Sequence, residues 1–363
     1  MTPPFQIHGT DHVRLIVGNA RQAAHYYQTV FGFQPVAYRG LETGFRDYAA
    51  YVLKQGKIRL VLTSPYRANS PLNNHLMLHG DGVRDVAFWV DDAKAAWEYT
   101  TSRGAISHME PKTVADGSGS VTMASIHTYG DTLHTFVQRD GYEGPFLPGF
   151  EHFESTVKTT PVGLNFIDHF VGNQPEGEMD KVAKWYEDIL GFRRFWSVDD
   201  KDISTDFTAL RSIVVTNDNE RIKMPINRPA QGMRKSQIQE FVEYYTGPGV
   251  QHIAMDTSDI VETVGRLRDN GVEFLETPRA YYDVLLERVG SIDEQLETLA
   301  QYGILVDADQ HGYLLQIFTK PVQDRPTLFY EIIQRKGCSG FGKGNFKALF
   351  EAIEREQDRR GNL

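Results

Sequence analysis

Three segments recur in the same order along this chain of 363 residues, the mark of an internal repeat that narrows its fold to a doubled unit. Residues 11–33 read DHVRLIVGNARQAAHYYQTVFGF, and residues 168–192 read DHFVGNQPEGEMDKVAKWYEDILGF. Both open on Asp-His, pass through Val-Gly-Asn and close on Gly-Phe. GVRDVAFWVDDAKAAWEYTTSRGA (82–105) matches GVQHIAMDTSDIVETVGRLRDNGV (249–272), and GDTLHTFVQ (130–138) matches GYLLQIFTK (312–320). Three matches in one order describe a single unit used twice. Two or three domains are also what roughly 150 residues per domain predicts.

Within a copy, the Asp-His strand leads into a helix on which Val182, Trp185, Tyr186, Ile189 and Leu190 share one face. Strands are expected at 47–53 and 58–63 in the first copy, and at 206–216 and 221–226 in the second. The strand GVRDVAFWV or GVQHIAMDT then feeds a second helix, with Ile260, Val264 and Leu267 in line. Each copy reads as two βαβββ modules: an α+β fold with a curled mixed sheet and helices outside. Residues 140–162 hold two Pro-containing turns and no sustained period, which predicts domains 1–150 and 151–363. The segment 336–363 has no counterpart in the first copy. Asn345 is expected to cap a helix there whose apolar stripe is Phe346, Leu349, Phe350 and Ile353.

Composition narrows the function. Thirty-eight Lys and Arg against 48 Asp and Glu leave a net charge of −10, which gives nucleic acid no electrostatic footprint. No stretch reaches the ~18 consecutive apolar residues of a membrane span, and Met1–Phe5 lacks the basic and apolar regions of a secretion signal. A cytoplasmic protein is expected. Cys338 is the only cysteine, which excludes an intrachain disulfide or a thiolate cluster, and it reads as a small neutral residue.

A metal site must therefore use histidine and carboxylate. Of twelve histidines, the repeat singles out His169 and His252, which begin matching modules of the second copy. Their first-copy equivalents are His12 and Asp85. Glu331, in PTLFYEIIQR (326–335), shares a strand face with Phe329. The offset of the last repeat sets Gly149 opposite Glu331, so the first copy aligns no carboxylate there. Two histidines and a carboxylate form the ligand set of non-haem Fe(II) oxygenases. Imidazoles suit Fe(II), the carboxylate offsets part of its charge, and open positions admit substrate and O2. A buried Glu331 satisfied by strand neighbours is the alternative reading of these residues.

Six segments carry a resemblance: NFIDHFVGN (165–173), MPINRP (224–229), KSQIQEF (235–241), GVQHIAMDT (249–257), GYLLQIFTKPVQDRPTLFYEIIQRKG (312–337) and SGFGKGNFKALFEAIEREQ (339–357). Through them the second copy resembles the 4-hydroxyphenylpyruvate dioxygenase family of the vicinal oxygen chelate superfamily, and the resemblance runs on through the first copy. It implies two tandem vicinal-oxygen-chelate domains, the first degenerate and without metal, the second catalytic with a C-terminal helix covering its cavity. The implied metal ligands are His169, His252 and Glu331, holding one Fe(II) per subunit with O2 as co-substrate.

The implied substrate pocket is Ser212, Asn227, Gln237, Gln316, Phe318 and Phe329, closed by Phe341, Asn345 and Phe346. Among these, Asn227, Gln237 and Gln316 carry the catalytic polar contacts. The phenyl rings suit a flat aromatic substrate, and the neutral groups suit a phenol or keto acid. Strand alternation points Gln251 away from His252, behind the ligand. The implied partner is a small aromatic 2-oxo acid, in a homo-oligomeric enzyme of tyrosine catabolism. The implied reaction is oxidative decarboxylation, ring hydroxylation and side-chain migration, yielding homogentisate.

4-Hydroxymandelate synthase, which oxidises the benzylic carbon of the same substrate, is the nearest alternative; Pro225-Ile-Asn227 and Phe341 favour ring hydroxylation. A non-catalytic binding protein is a further one, although a silent binder has no need to keep three ligands in one copy while the other drifts. GFGKGN (340–345) lacks the spacing and the Ser/Thr of a phosphate loop.

Overall fold

The computed structural model describes residues 3–198, 209–230 and 235–362. Four βαβββ modules follow one another. The first is β1 (Ile7–Ile16), α1 (Ala20–Thr29), β2 (Gln34–Arg39), β3 (Tyr48–Gln55) and β4 (Ile58–Pro65). A short α2 (Leu72–His79) leads to the second: β5 (Gly82–Val90), α3 (Ala93–Ser102), β6 (Ser107–Asp116), β7 (Gly119–His127) and β8 (Leu133–Arg139). After β9 (Glu151–His152) comes the third: β10 (Leu164–Asn173), α4 (Met179–Leu190), β11 (Arg193–Val198), β12 (Ala209–Thr216) and β13 (Lys223–Ala230). Residues 206–208 of the expected strand 206–216 lie outside the described residues.

Next, α5 (Gln237–Tyr245) joins to the fourth module: β14 (Gly249–Thr257), α6 (Ile260–Asp269), three short helices α7 (Ala280–Asp283), α8 (Leu285–Val289) and α9 (Leu296–Tyr302), then β15 (Leu305–Asp309), β16 (Gly312–Phe318) and β17 (Phe329–Lys336). The chain ends in α10 (Phe346–Arg359).

The sheets run β6-β7-β8-β5-β1-β4-β3-β2-β9 and β11-β12-β13-β10-β14-β17-β16-β15. In each, the first strands of the two modules meet antiparallel at the centre and each pairs in parallel with the last strand of its own module. Two tandem vicinal-oxygen-chelate units of curled mixed sheet result. β9 pairs with β2, so the first sheet continues just beyond residue 150.

One repeat match is corrected. β8 lies parallel to β5 as β17 lies parallel to β14, with Asp85 opposite Leu133 and His252 opposite Phe329. The counterpart of Leu133–Arg139 is therefore Phe329–Lys336, and the segment 312–320 falls on β16, the counterpart of β7. Short apolar strands resemble one another in composition, and only their pairing distinguishes them. Thr135 rather than Gly149 stands in the place of Glu331, and the first copy still has no carboxylate there.

One apolar core spans both units. Tyr330 on β17 donates to Tyr27 on α1 (2.7 Å), and at the matching position His134 on β8 accepts from Tyr186 on α4 (2.8 Å). Each sheet thus reaches the first helix of the other unit. His134 donates its Nδ1–H to the Val86 carbonyl, which leaves Nε2 free to accept.

Candidate metal centre

Three adjacent central strands of the second sheet bring His169 (β10), His252 (β14) and Glu331 (β17) together. Ala254, two residues on from His252, lies opposite both His169 and Glu331 in the pairing, so the three residues come from neighbouring positions on adjacent strands. Glu331 Oε2 is 3.2 Å from His169 Nε2 and 3.5 Å from His252 Nε2, and one donor atom from each residue lies within 4.8 Å of the others. All three side chains are buried.

Two β-bulges prepare these histidines. On β10 the pairing passes from Ile167 to His169 between consecutive partners, leaving Asp168 as the extra residue; on β14 it passes from His252 to Val250, leaving Gln251. A bulge breaks strict alternation and re-aims the extra side chain. Asp168 Oδ1 accordingly accepts from His169 Nδ1 at 2.7 Å, and Gln251 Oε1 accepts from His252 Nδ1 at 3.1 Å. Each bond puts the proton on Nδ1 and leaves a lone pair on Nε2. The expectation that alternation turns Gln251 away from His252 is corrected: the bulge brings it beside the ring and into the cavity wall.

Asp168 is itself held by Arg335, whose Nε and NH2 both donate at 2.8 Å. Arg335 also donates to the Gly340 carbonyl at 2.6 Å and lies over the Phe341 ring at 5.4 Å, tying Asp168 and His169 to the terminal segment. Sequence reasoning passed over Asp168 and Arg335 as functional positions. Their signal lay in the repeat, as Asp-His at 11–12 and 168–169 and Gln-Arg at 138–139 and 334–335.

Burial pushes the Glu331 carboxyl up, and the two imidazoles more than reverse this, leaving it below the ordinary carboxylate range. Burial drives the His252 imidazole down. For His169 burial acts the same way, but Glu331 and Asp168 overcome it and hold the imidazole above its usual value. Burial also opposes ionisation of Asp168, yet Arg335 and His169 keep its carboxyl far below normal. Two Nε2 lone pairs facing a buried carboxylate repel unless a cation lies among them, so the donor set fits a metal ion.

The remaining expected residues surround this cluster. Ser212 and Asn227 pair across β12 and β13, Gln237 begins α5, and Gln316 and Phe318 come from β16; all line the cavity. Phe329 stacks on His252 (4.7 Å between centroids), and Phe341 meets His169 edge-on at 5.2 Å. Phe346, Leu349 and Phe350 of α10 form the cover. Gly342 adopts φ +74°, and a Cβ there would overlap the Gln316 amide.

Asn345 departs from expectation. It does not cap α10 with its side chain; its Oδ1 accepts from Tyr281 (2.7 Å) and Arg288 (3.1 Å), and its Nδ2 is 3.5 Å from Gln316 Oε1. It reaches the cavity through Gln316.

Two family models described as Glyoxalase/Bleomycin resistance protein/Dioxygenase superfamily match residues 11–122 and 166–317. The 4-hydroxyphenylpyruvate dioxygenase of Yarrowia lipolytica is 50% identical, over 98% of this chain and 93% of that protein. That of Caenorhabditis elegans is 53% identical, over 97% and 93%. The chain belongs to the 4-hydroxyphenylpyruvate dioxygenase family. A solved structure of a 4-hydroxymandelate synthase mutant from Streptomyces coelicolor is also similar, with a TM-score of 0.87 and 34% identity over 98% of this chain and all of that one.

Within this dioxygenase fold the first unit keeps the scaffold of the site and the first histidine, and replaces the residues at the other two positions. Arg139 holds Asp11 (2.7 and 2.9 Å), Asp11 holds His12 (2.7 Å), and Phe146 meets His12 edge-on at 5.0 Å, as Arg335, Asp168, His169 and Phe341 do in the second. Asp85 replaces His252, and its oxygens are taken by the hydroxyl (2.5 Å) and backbone N–H (3.1 Å) of Thr135. Among the described residues only His169, His252 and Glu331 form a metal-ready group.

Proposed function

We propose that the chain oxidises 4-hydroxyphenylpyruvate with O2 to homogentisate and CO2, using one Fe(II) held by His169, His252 and Glu331. The supporting observation is the convergence of these three donors on the floor of a cavity walled by phenyl rings and neutral amides. Bound Fe(II) would supply open positions where a 2-oxo acid and O2 meet and would relay electrons between them, while the substrate itself is the net reductant, giving up two electrons on losing CO2 and two at the ring. Domain 1–150 serves as the metal-free partner and domain 151–363 carries the chemistry.

The protein's part is to place and shelter the substrate. Phe318 and Phe329 offer ring faces beside His252, and Phe341 offers another beside His169. Asn227, Gln237 and Gln316 orient the substrate's polar ends, with Ser212 alongside. None adds charge to a site whose substrate is already an anion. With α10 in place the free space is only about 50 Å³, far below the ~300–1,000 Å³ usual for ligand sites. Entry therefore requires the wall to open; α10, which covers the cavity with its phenyl rings, is the segment assigned that movement, and its return excludes water from the reacting centre.

The same reading makes the enzyme a cytosolic homo-oligomer. No helix among the described residues is long and apolar enough to cross a membrane. Supplying Fe(II), ascorbate, O2 and 4-hydroxyphenylpyruvate and identifying the product tests the proposal. Homogentisate supports it, 4-hydroxymandelate moves the enzyme to the benzylic reaction, and no O2 uptake with iron loaded refutes both.

A further inference from the structure

A second cavity of about 510 Å³ lies where the two units meet, and shares no lining residue with the metal centre. In a chain with a net charge of −10, its wall gathers five cations: Lys54, Lys57, Arg59, Arg139 and Arg221. Its single carboxylate, Asp11, is already bound by Arg139 and His12 and lies 3.8 Å from Arg59. Lys54, Lys57 and Arg221 have no ion-pair partner among the described residues. Lys54 and Arg59 sit directly opposite each other on β3 and β4, a like-charge pairing that works against the sheet. Structural needs explain the Asp11 clamp but not the other cations.

Two large rings complete the wall. Trp89 is 48% exposed and Phe166 36% exposed, and they come from different units, one on β5 and one on β10. Rings left in solvent beside clustered cations suit a ligand with an apolar flat part and a negative end.

We propose that this cavity binds a small aromatic anion, its carboxylate or phosphate held by Lys54, Lys57 and Arg221 and its ring placed against Trp89 and Phe166. The site stands independently of the iron chemistry, because it shares no side chain with it.

The test titrates the metal-free full chain with ADP, with 4-hydroxyphenylacetate and with inorganic phosphate. The Trp89 signal is isolated as the difference between wild-type emission and that of Trp89→Phe. A saturable change with either ring-bearing anion, about tenfold or more tighter than phosphate, is expected. Lys57→Glu with Arg221→Glu should weaken it about tenfold or more, and Lys57→Gln with Arg221→Gln should weaken it less. Preference for ADP identifies a phosphate ligand, and preference for 4-hydroxyphenylacetate a carboxylate ligand. Phosphate binding as tightly as both, no binding of either, or unchanged affinity in the charge-reversed variant overturns the proposal. So does a change of subunit number by light scattering in that variant, which would make the cavity a subunit contact.

Discussion

Replacing Asp168 by Asn separates the two jobs that the carboxylate does. Its Oδ1 takes the His169 Nδ1–H and one Arg335 N–H, and its Oδ2 takes the other Arg335 N–H, all within 2.7–2.8 Å. An amide has one oxygen for these three donors. If that oxygen stays on His169, the amide NH2 faces Arg335 Nε–H and the guanidinium loses its counter-charge. If it turns to Arg335, the imidazole must move its proton to Nε2, where the metal needs a lone pair. Arg335 keeps only 15% of its side chain in solvent, so the first outcome approaches the ~3–5 kcal/mol of a broken buried pair, reduced by its remaining carbonyl bonds to about 2–4 kcal/mol. The second removes about 10–100-fold in metal affinity, or about 1.4–2.7 kcal/mol.

The repeat supplies the control. Asp11 makes the same bonds to His12 and Arg139, whose side chain is 16% exposed. Asp11→Asn should therefore lose similar stability, measured by urea unfolding, while anaerobic Co(II) titration finds metal affinity within about twofold of wild type. Asp168→Asn should lose both. Wild-type Co(II) affinity in a destabilised Asp168→Asn would overturn this role, because the carboxylate would then be structural and nothing more.

Three further outcomes are expected. His12→Ala should leave Co(II) stoichiometry and affinity unchanged by the same titration, since among the described residues only His169, His252 and Glu331 bring their donor atoms together. Burial lowers His134 to about 4 from the usual ~6.5. Below ~6.5 the unfolded chain then binds a proton that the folded chain refuses. The stability it contributes is complete above pH 6.5 and is lost between pH 6.5 and 4, about 3 kcal/mol in all; urea unfolding across that range should slope less in His134→Asn. Arg360 clamps α10 to the buried Glu240 of α5 at 2.8 Å. Arg360→Ala should cost about 1–2 kcal/mol, less than a fully buried pair because a third of Arg360 is in solvent, and raise deuterium exchange over residues 346–359.

The βαβββ modules and the His169–His252–Glu331 cluster were readable in the sequence for one physical reason. Duplication lets each copy serve as a control for the other, so His252 against Asp85 stands out where a lone histidine would not. Apolar strands defeated the same comparison. Leu133–Arg139 resembles Gly312–Phe318 in composition, and only its parallel pairing with β5 assigns it to Phe329–Lys336. Gln251 was misjudged because alternation presumes an unbroken ladder, and a bulge leaves no mark in residue types. Asn345 looked like a helix cap because helix capping is local chemistry, whereas Tyr281 and Arg288, which claim its side chain, are 64 and 57 residues away.

On the proposed function, one metal ion binds each chain, in the second unit, through Glu331 and the two histidines. Equilibrium titration of metal-free protein with Co(II) under argon tests it most directly, comparing wild type with Glu331→Ala. One tight equivalent per wild-type chain is expected, with a loss of about 100-fold or more in affinity when the carboxylate is removed. Two tight equivalents, or a single equivalent that survives Glu331→Ala undiminished, would contradict it.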